Sequence, residues 1–213
     1  MADLPFQLPA PLAARLQAAL DVEGKIPRAL VALGPLAGRD VALLDVPEGL
    51  HDARLRELGV EATRLPLADP LRLDVPPASL DAVVALWSGF RGVEPEALAE
   101  VDRVLRPGGR LLVVHDYGRD DVSVLHPPDA PEAAWGRRDG PFLRCGFRIH
   151  VLHCFWTFAS LDEARAFLAD AFGGPGEALG AGLRRPRLSW KVAIYHRSRG
   201  EPPAGPAAAT LAR

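Results

Sequence analysis

Along the chain, short unbroken apolar runs alternate with segments whose apolar residues recur every three or four positions. The runs Val41 to Asp45, Asp81 to Trp87 and Arg110 to Asp116 are short and rich in Val, Leu and Ala. Such runs predict strands buried on both faces, as a parallel sheet requires. Val60 to Leu65 is a further strand candidate, residues 146–158 predict a long strand, and residues 189–197 alternate like a final one. Helical spacing appears at Leu12, Leu16 and Leu20, in a short segment from Pro27 to Leu33, and from Leu50 to Leu58. Residues 94–105 place Ala97, Leu98, Val101, Val104 and Leu105 on one face, with acids in the first turn. That pattern predicts an amphipathic helix with a favourable dipole. Ser160 and Glu163 form a capping-box pattern that opens a helix through Phe172, with Gly173-Gly174 expected to close it. Strand and helix alternate throughout, which predicts an α/β fold around a mainly parallel sheet.

Two stretches break the pattern. Residues 66–80 hold four prolines and predict a loop without regular structure, and residues 120–143 are polar and loop-like. The tail 201–213, rich in Pro, Ala and Gly, predicts disorder. Residues 1–200, with N-terminal helices across 8–34, are therefore read as one domain.

Composition narrows the function classes. The chain has 213 residues, with 25 basic against 27 acidic side chains and a net charge of −2. No global basic field exists to attract nucleic acid or an anionic membrane. The local basic group Arg184, Arg185, Arg187, Lys191, Arg197 and Arg199 is read as a solvated rim. No apolar window approaches the length needed to span a bilayer, and no secretory signal opens the chain. Two cysteines, Cys145 and Cys154, cannot build a disulfide framework. A cytoplasmic domain is the expectation.

The most specific pattern is Leu80-Asp81-Ala82-Val83-Val84 followed by Glu100-Val101-Asp102-Arg103-Val104-Leu105-Arg106-Pro107-Gly108-Gly109. Pro107 stops a helix and the glycines permit the turn that returns the chain to the sheet. With Asp69-Pro70-Leu71-Arg72-Leu73 ahead of it, this run resembles the class I S-adenosylmethionine-dependent methyltransferases over roughly residues 26–197. The resemblance implies a Rossmann-like α/β sheet, mostly parallel with an antiparallel last strand. Only 15 residues separate Leu65 from Asp81, so one helix and one strand of the family are expected to be missing and Val60 to Leu65 to lie at an edge.

The resemblance also implies a cofactor site, and here the chain departs from the family. A glycine-rich loop after the first strand lets backbone N–H groups and a helix N-terminus meet the cofactor's carboxylate. The matching loop is Asp45-Val46-Pro47-Glu48-Gly49, which keeps only Gly49 and adds two acids. The family's ribose-binding acid at the end of the second strand is replaced by Pro66. Asp69 matches the position that meets the adenine amino group, and Trp87 with Ser88 sits at a strand end that can line a pocket. An alternative threading takes Arg28 to Leu33 as the first strand and makes Asp45 the ribose acid. It leaves about ten residues for a crossover and a strand, fewer than the dozen or more a parallel connection needs.

The expected S-adenosylmethionine-binding candidates are thus Asp45, Gly49, Asp69 and Trp87. His115, Asp116 and Tyr117, at the end of the strand after Gly109, are candidates for a catalytic base, where ligands of α/β sheets sit. Cys145, His150, His153 and Cys154 have metal-binding chemistry, but strand alternation sends them to opposite sides, and no metal is expected. The expectation is a methyltransferase-like protein that binds S-adenosylmethionine weakly or not at all; the alternative is an active enzyme on an unknown small molecule. A nicotinamide-dependent enzyme is a weaker reading, because no G-x-G-x-x-G follows a strand. A sheet edge stripped of its neighbour further suggests a homodimer.

Overall fold

The computed structural model describes residues 3–34, 36–46, 49–127 and 132–200; the tail 201–213, expected to be disordered, lies outside them. Six strands form one sheet in the order β2-β1-β3-β4-β6-β5. They are β1 (Val41–Leu44), β2 (Ala62–Leu65), β3 (Leu80–Leu86), β4 (Leu105–Asp116), β5 (Arg148–Thr157) and β6 (Arg187–Ser198). The pairs β1–β2, β1–β3 and β3–β4 are parallel, whereas β6 runs antiparallel to both β4 and β5. The apolar runs fill the middle of this sheet because helices cover both of its faces.

One face carries α1 (Ala10–Ala19), α2 (Lys25–Leu33), α3 (Leu50–Glu57) and α7 (Leu161–Gly182), with Leu16, Ile26, Leu30, Leu55 and Phe167 packed on Leu43, Val84 and Val114. The other carries α4 (Pro95–Val104) and the short α6 (Pro141–Arg144), with Val101, Val104 and Phe142 on Ala42, Val83, Val113 and Tyr195. Pro95 opens α4, where its missing N–H costs nothing. Arg28 to Leu33 lies within α2, which excludes the alternative threading, so β1 is the first strand and Asp45 stands at its end.

β2 is an edge strand, and no helix or strand occurs between Leu65 and Leu80. The shortened connection is instead pinned to α4. The buried Glu100 carboxylate accepts from the Leu73 N–H at 2.8 Å and from Arg103, whose guanidinium also donates to the Leu73 and Val75 carbonyls. The N–H groups of Ala78 and Ser79 donate to the Arg103 and Val104 carbonyls that end the helix.

Three expectations are corrected or extended. β4 begins at Leu105 rather than Arg110, with Arg106 to Gly109 bulging between the pairs Leu80–Leu105 and Ala82–Arg110. A Cβ on Gly109 would lie 2.9 Å from the Arg106 carbonyl, so the bulge requires glycine there. Gly173, at φ 57° and ψ −135°, ends the first helical stretch of α7 after Phe172 as expected, but Pro175 starts a second stretch that the pattern did not predict. Arg165 holds that stretch by donating to the Gly180 and Leu183 carbonyls. The segment 120–143 carries a 3₁₀ turn at Val122–Leu125, α5 (Glu132–Trp135) and α6 instead of loop alone.

Candidate functional site

In an open α/β sheet, ligands sit outside the carboxyl ends of the parallel strands. At that end, Asp45 follows β1, Trp87 follows β3, and β4 ends in His115 and Asp116. Asp45 is exposed, adopts φ 58° and donates its N–H to the Leu65 carbonyl at 2.8 Å. That bond, with the register Leu44–Leu65, places Pro66 at the end of β2 beside Asp45. Gly49 is the extended residue preceding α3. Pro47 and Glu48 lie outside the described residues.

Trp87 is half-buried at φ 46°, a conformation bulky residues rarely adopt. Its ring stacks on Trp190 with centroids 5.4 Å apart and lies 5.4 Å from the ring of His51. Asp69 is separate from this group. It is exposed beside a cavity of about 620 Å³ that Leu67, Leu71, Phe90 and Arg91 also line. The four cofactor candidates thus share one end of the sheet without forming one cluster.

His115, Asp116 and Tyr117 do not converge, because the first two lie within β4 and alternate across it. His115 packs edge-on to Trp135 at 4.8 Å, and burial, with the nearby Arg91 charge, pushes its pKa down to about 3. It is a neutral core histidine. Asp116, on the other face, accepts from Trp190 Nε1 at 2.6 Å and faces His126 Nε2 at 2.9 Å. Burial raises its pKa, against the pull of His126. Tyr117 stands just past β4, half-buried, with the Arg119 guanidinium 6.0 Å from its ring.

Several residues here escaped sequence reasoning. The Asp3 carboxylate, fully buried, lies 2.8 Å from His51 Nδ1 and accepts from the His51 backbone N–H at 3.4 Å. The Asp3 N–H donates to the carbonyl of Leu86, the last residue of β3. Phe6 stacks on His126 at 4.3 Å. No spacing announces these pairs, since Asp3 and His51 are 48 positions apart and Asp116 and Trp190 are 74 positions apart.

The remaining candidates disperse. Among the described residues, no three His, Cys, Asp or Glu side chains are grouped to hold a metal ion. Cys154 is buried in β5, while Cys145 precedes that strand and contacts the Val93 carbonyl. The basic group is divided: Arg187 pairs with Glu23, Arg197 with Asp102, and Lys191 donates to the Arg119 carbonyl. No helix among the described residues is long and apolar enough to cross a membrane.

Residues 23–113 match the family model of the methyltransferase domain. The matched stretch supplies β1, β2, β3 and most of β4, and over it the chain is similar to the methyltransferase domain. No curated protein matches the chain. Solved structures resembling it include a proposed type II methyltransferase from Anaeromyxobacter dehalogenans, at 20% identity and TM-score 0.49, covering 81% of this chain and 96% of that one. Another is phosphoethanolamine N-methyltransferase 2 of Haemonchus contortus, in complex with phosphomonomethylethanolamine and S-adenosylhomocysteine. It is 15% identical with TM-score 0.41, covering 80% of this chain and 52% of that one. Identities this low carry no information about a substrate.

Proposed function

We propose that this chain is a methyltransferase-fold protein whose cofactor site has decayed, so that it binds S-adenosylmethionine weakly or not at all and serves as a binding or structural partner. One observation carries the reading. The register Leu44–Leu65 ties Asp45 to the end of β1 and leaves Leu65-Pro66 at the end of β2, where the family's ribose-binding carboxylate is expected. Losing a charge-assisted hydrogen bond costs about 1.5–3 kcal/mol. Three such losses, at two loop glycines and the ribose acid, weaken a micromolar ligand towards millimolar.

A second reading, an active small-molecule methyltransferase with an atypical loop, is favoured by the cavity of about 620 Å³ beside Asp69. In that reading Asp69, Gly49 and Trp87 border the cofactor. Calorimetric titration with S-adenosylmethionine and S-adenosylhomocysteine separates the two. The first reading expects no saturable heat below the millimolar range, and a micromolar dissociation constant overturns it. A homodimer across the β2 edge is part of the proposal. That edge is four residues long with Thr63 and Arg64 exposed, and the neighbouring Leu58 is exposed as well.

A further inference from the structure

Another cavity, of about 280 Å³, opens at the amino end of the parallel strands, where β1 and β3 begin and β4 returns from its bulge. Arg39, Asp81 and Arg110 line it, together with the bare backbones of Gly34, Gly108 and Gly109. Arg39 stands on the turn between α2 and β1, its N–H donating to the Leu36 carbonyl at 3.2 Å. Arg110 is the residue at which β4 pairs again with β3, opposite Ala82. Its stem passes over Gly34, where an added Cβ would lie 3.7 Å from the Arg110 Cδ and 3.2 Å from Leu36.

The charges at this end do not balance. The Arg106 guanidinium engages both local acids, 2.8 Å from Asp40 and 2.8 Å from Asp81. Asp81 also accepts from the Asp40 N–H at 3.0 Å. Arg199 fastens the bulge from the other side, its N–H donating to the Gly109 carbonyl at 2.8 Å and its guanidinium to the Leu105 carbonyl. Arg39 and Arg110 are left without an ion pair among the described residues, Arg39 acting on Asp81 only at a distance. Elsewhere arginines meet acids directly, as Arg103 does Glu100 and Arg197 does Asp102. Four guanidinium groups therefore gather at the bulge and its cavity against two carboxylates already engaged. Like charges held this close repel one another unless an anion joins them.

We propose that this cavity binds a phosphate group, held between the Arg39 and Arg110 guanidiniums over the glycine backbone. The planar donor fork of arginine matches a tetrahedral oxyanion, and the small volume suits inorganic phosphate or the monoester of a small alcohol. The site stands apart from the S-adenosylmethionine reading. β3 runs from Asp81 at this cavity to Trp87 at the other end of the sheet, roughly 20 Å away at the rise of a strand. The chain thus carries a second ligand site that faces away from the first.

The test titrates the isotope-labelled chain with sodium phosphate, with glycerol phosphate, and with sodium chloride of equal ionic strength, following the amide resonances. Phosphate is expected to shift the Arg39, Gly108, Gly109 and Arg110 amides saturably and to leave those of Asp45 and Trp87 in place. Arg39→Gln and Arg110→Gln each remove one charge-assisted contact and should raise the midpoint roughly tenfold or more. Arg39 is exposed, so Arg39→Gln keeps the fold whatever Arg110→Gln does. A tighter midpoint for glycerol phosphate than for phosphate identifies a phosphomonoester as the ligand, and one no tighter identifies the free ion. Shifts that fail to saturate, that sodium chloride reproduces, or that keep their midpoint in Arg39→Gln overturn the proposal.

Discussion

Glu100→Gln tests how the sheet closes where residues 66–79 form no helix or strand. Glu100 is 3% exposed, and the Arg103 guanidinium beside it, helped by the Leu73 N–H and Arg72, lowers its pKa from 4.5 to about 2. A tenfold change in proton affinity is worth about 1.4 kcal/mol, so this depression is on the order of 3 kcal/mol favouring the charged carboxylate in the fold. Glutamine keeps the shape but loses the charge, and it releases Arg103 from the carboxylate that aims it at the Leu73 and Val75 carbonyls. A loss of about 2–3 kcal/mol lowers the melting temperature of a domain this size by roughly 5–10 °C at pH 7. Because the folded pKa is depressed, the contribution is complete above the unfolded value near 4.5 and disappears as pH falls towards 2. The gap between variant and unmodified protein must therefore narrow over that window in acid titrations followed by circular dichroism. A variant melting within about a degree of the parent at pH 7 would refute the assignment of Glu100 as the anchor of residues 66–79.

Three further outcomes are expected. His115 has its pKa pushed down to about 3, so its ring resonances should stay flat from pH 8 to pH 5, and a midpoint above 6 contradicts its burial. The sign follows: below 6.5 the unfolded chain binds a proton that the folded one refuses, so this group costs stability as pH falls from 6.5 towards 3. Cys154, its thiol pushed up to about 12 by burial, should resist a disulfide reagent at pH 8 until the protein is unfolded, and two fast thiols in the native protein refute this. Sedimentation at tens of micromolar should give a dimer, and a monomer rejects pairing across the β2 edge.

The sheet was readable because burial on both faces writes itself as continuous apolar runs. Val41 to Leu44, Leu80 to Leu86 and Leu111 to Val114 show it, and the short span between Leu65 and Asp81 announced that no further strand lies between β2 and β3. Elements held by tertiary bonds were not readable. The stretch after Gly173 has the composition of a loop and is helical with Arg165 holding its carbonyls, while α5 and α6 are single turns with no period to detect. The site divides in the same way. The departures from the family's sequence pattern at Asp45 to Gly49 and at Pro66 are local and legible. The Asp3–His51 and Asp116–His126 pairs exist only because the fold joins distant segments at one sheet end. His115 and Asp116, adjacent in sequence, are divided by strand alternation into a core ring and a buried network.

The most direct measurement of the central claim is an amide-resolved NMR titration of the unmodified protein with S-adenosylmethionine. The account predicts no saturation below the millimolar range and no shift of the Gly49, His51 and Trp87 amides at micromolar ligand. Saturable shifts of those three amides with a micromolar midpoint would contradict it.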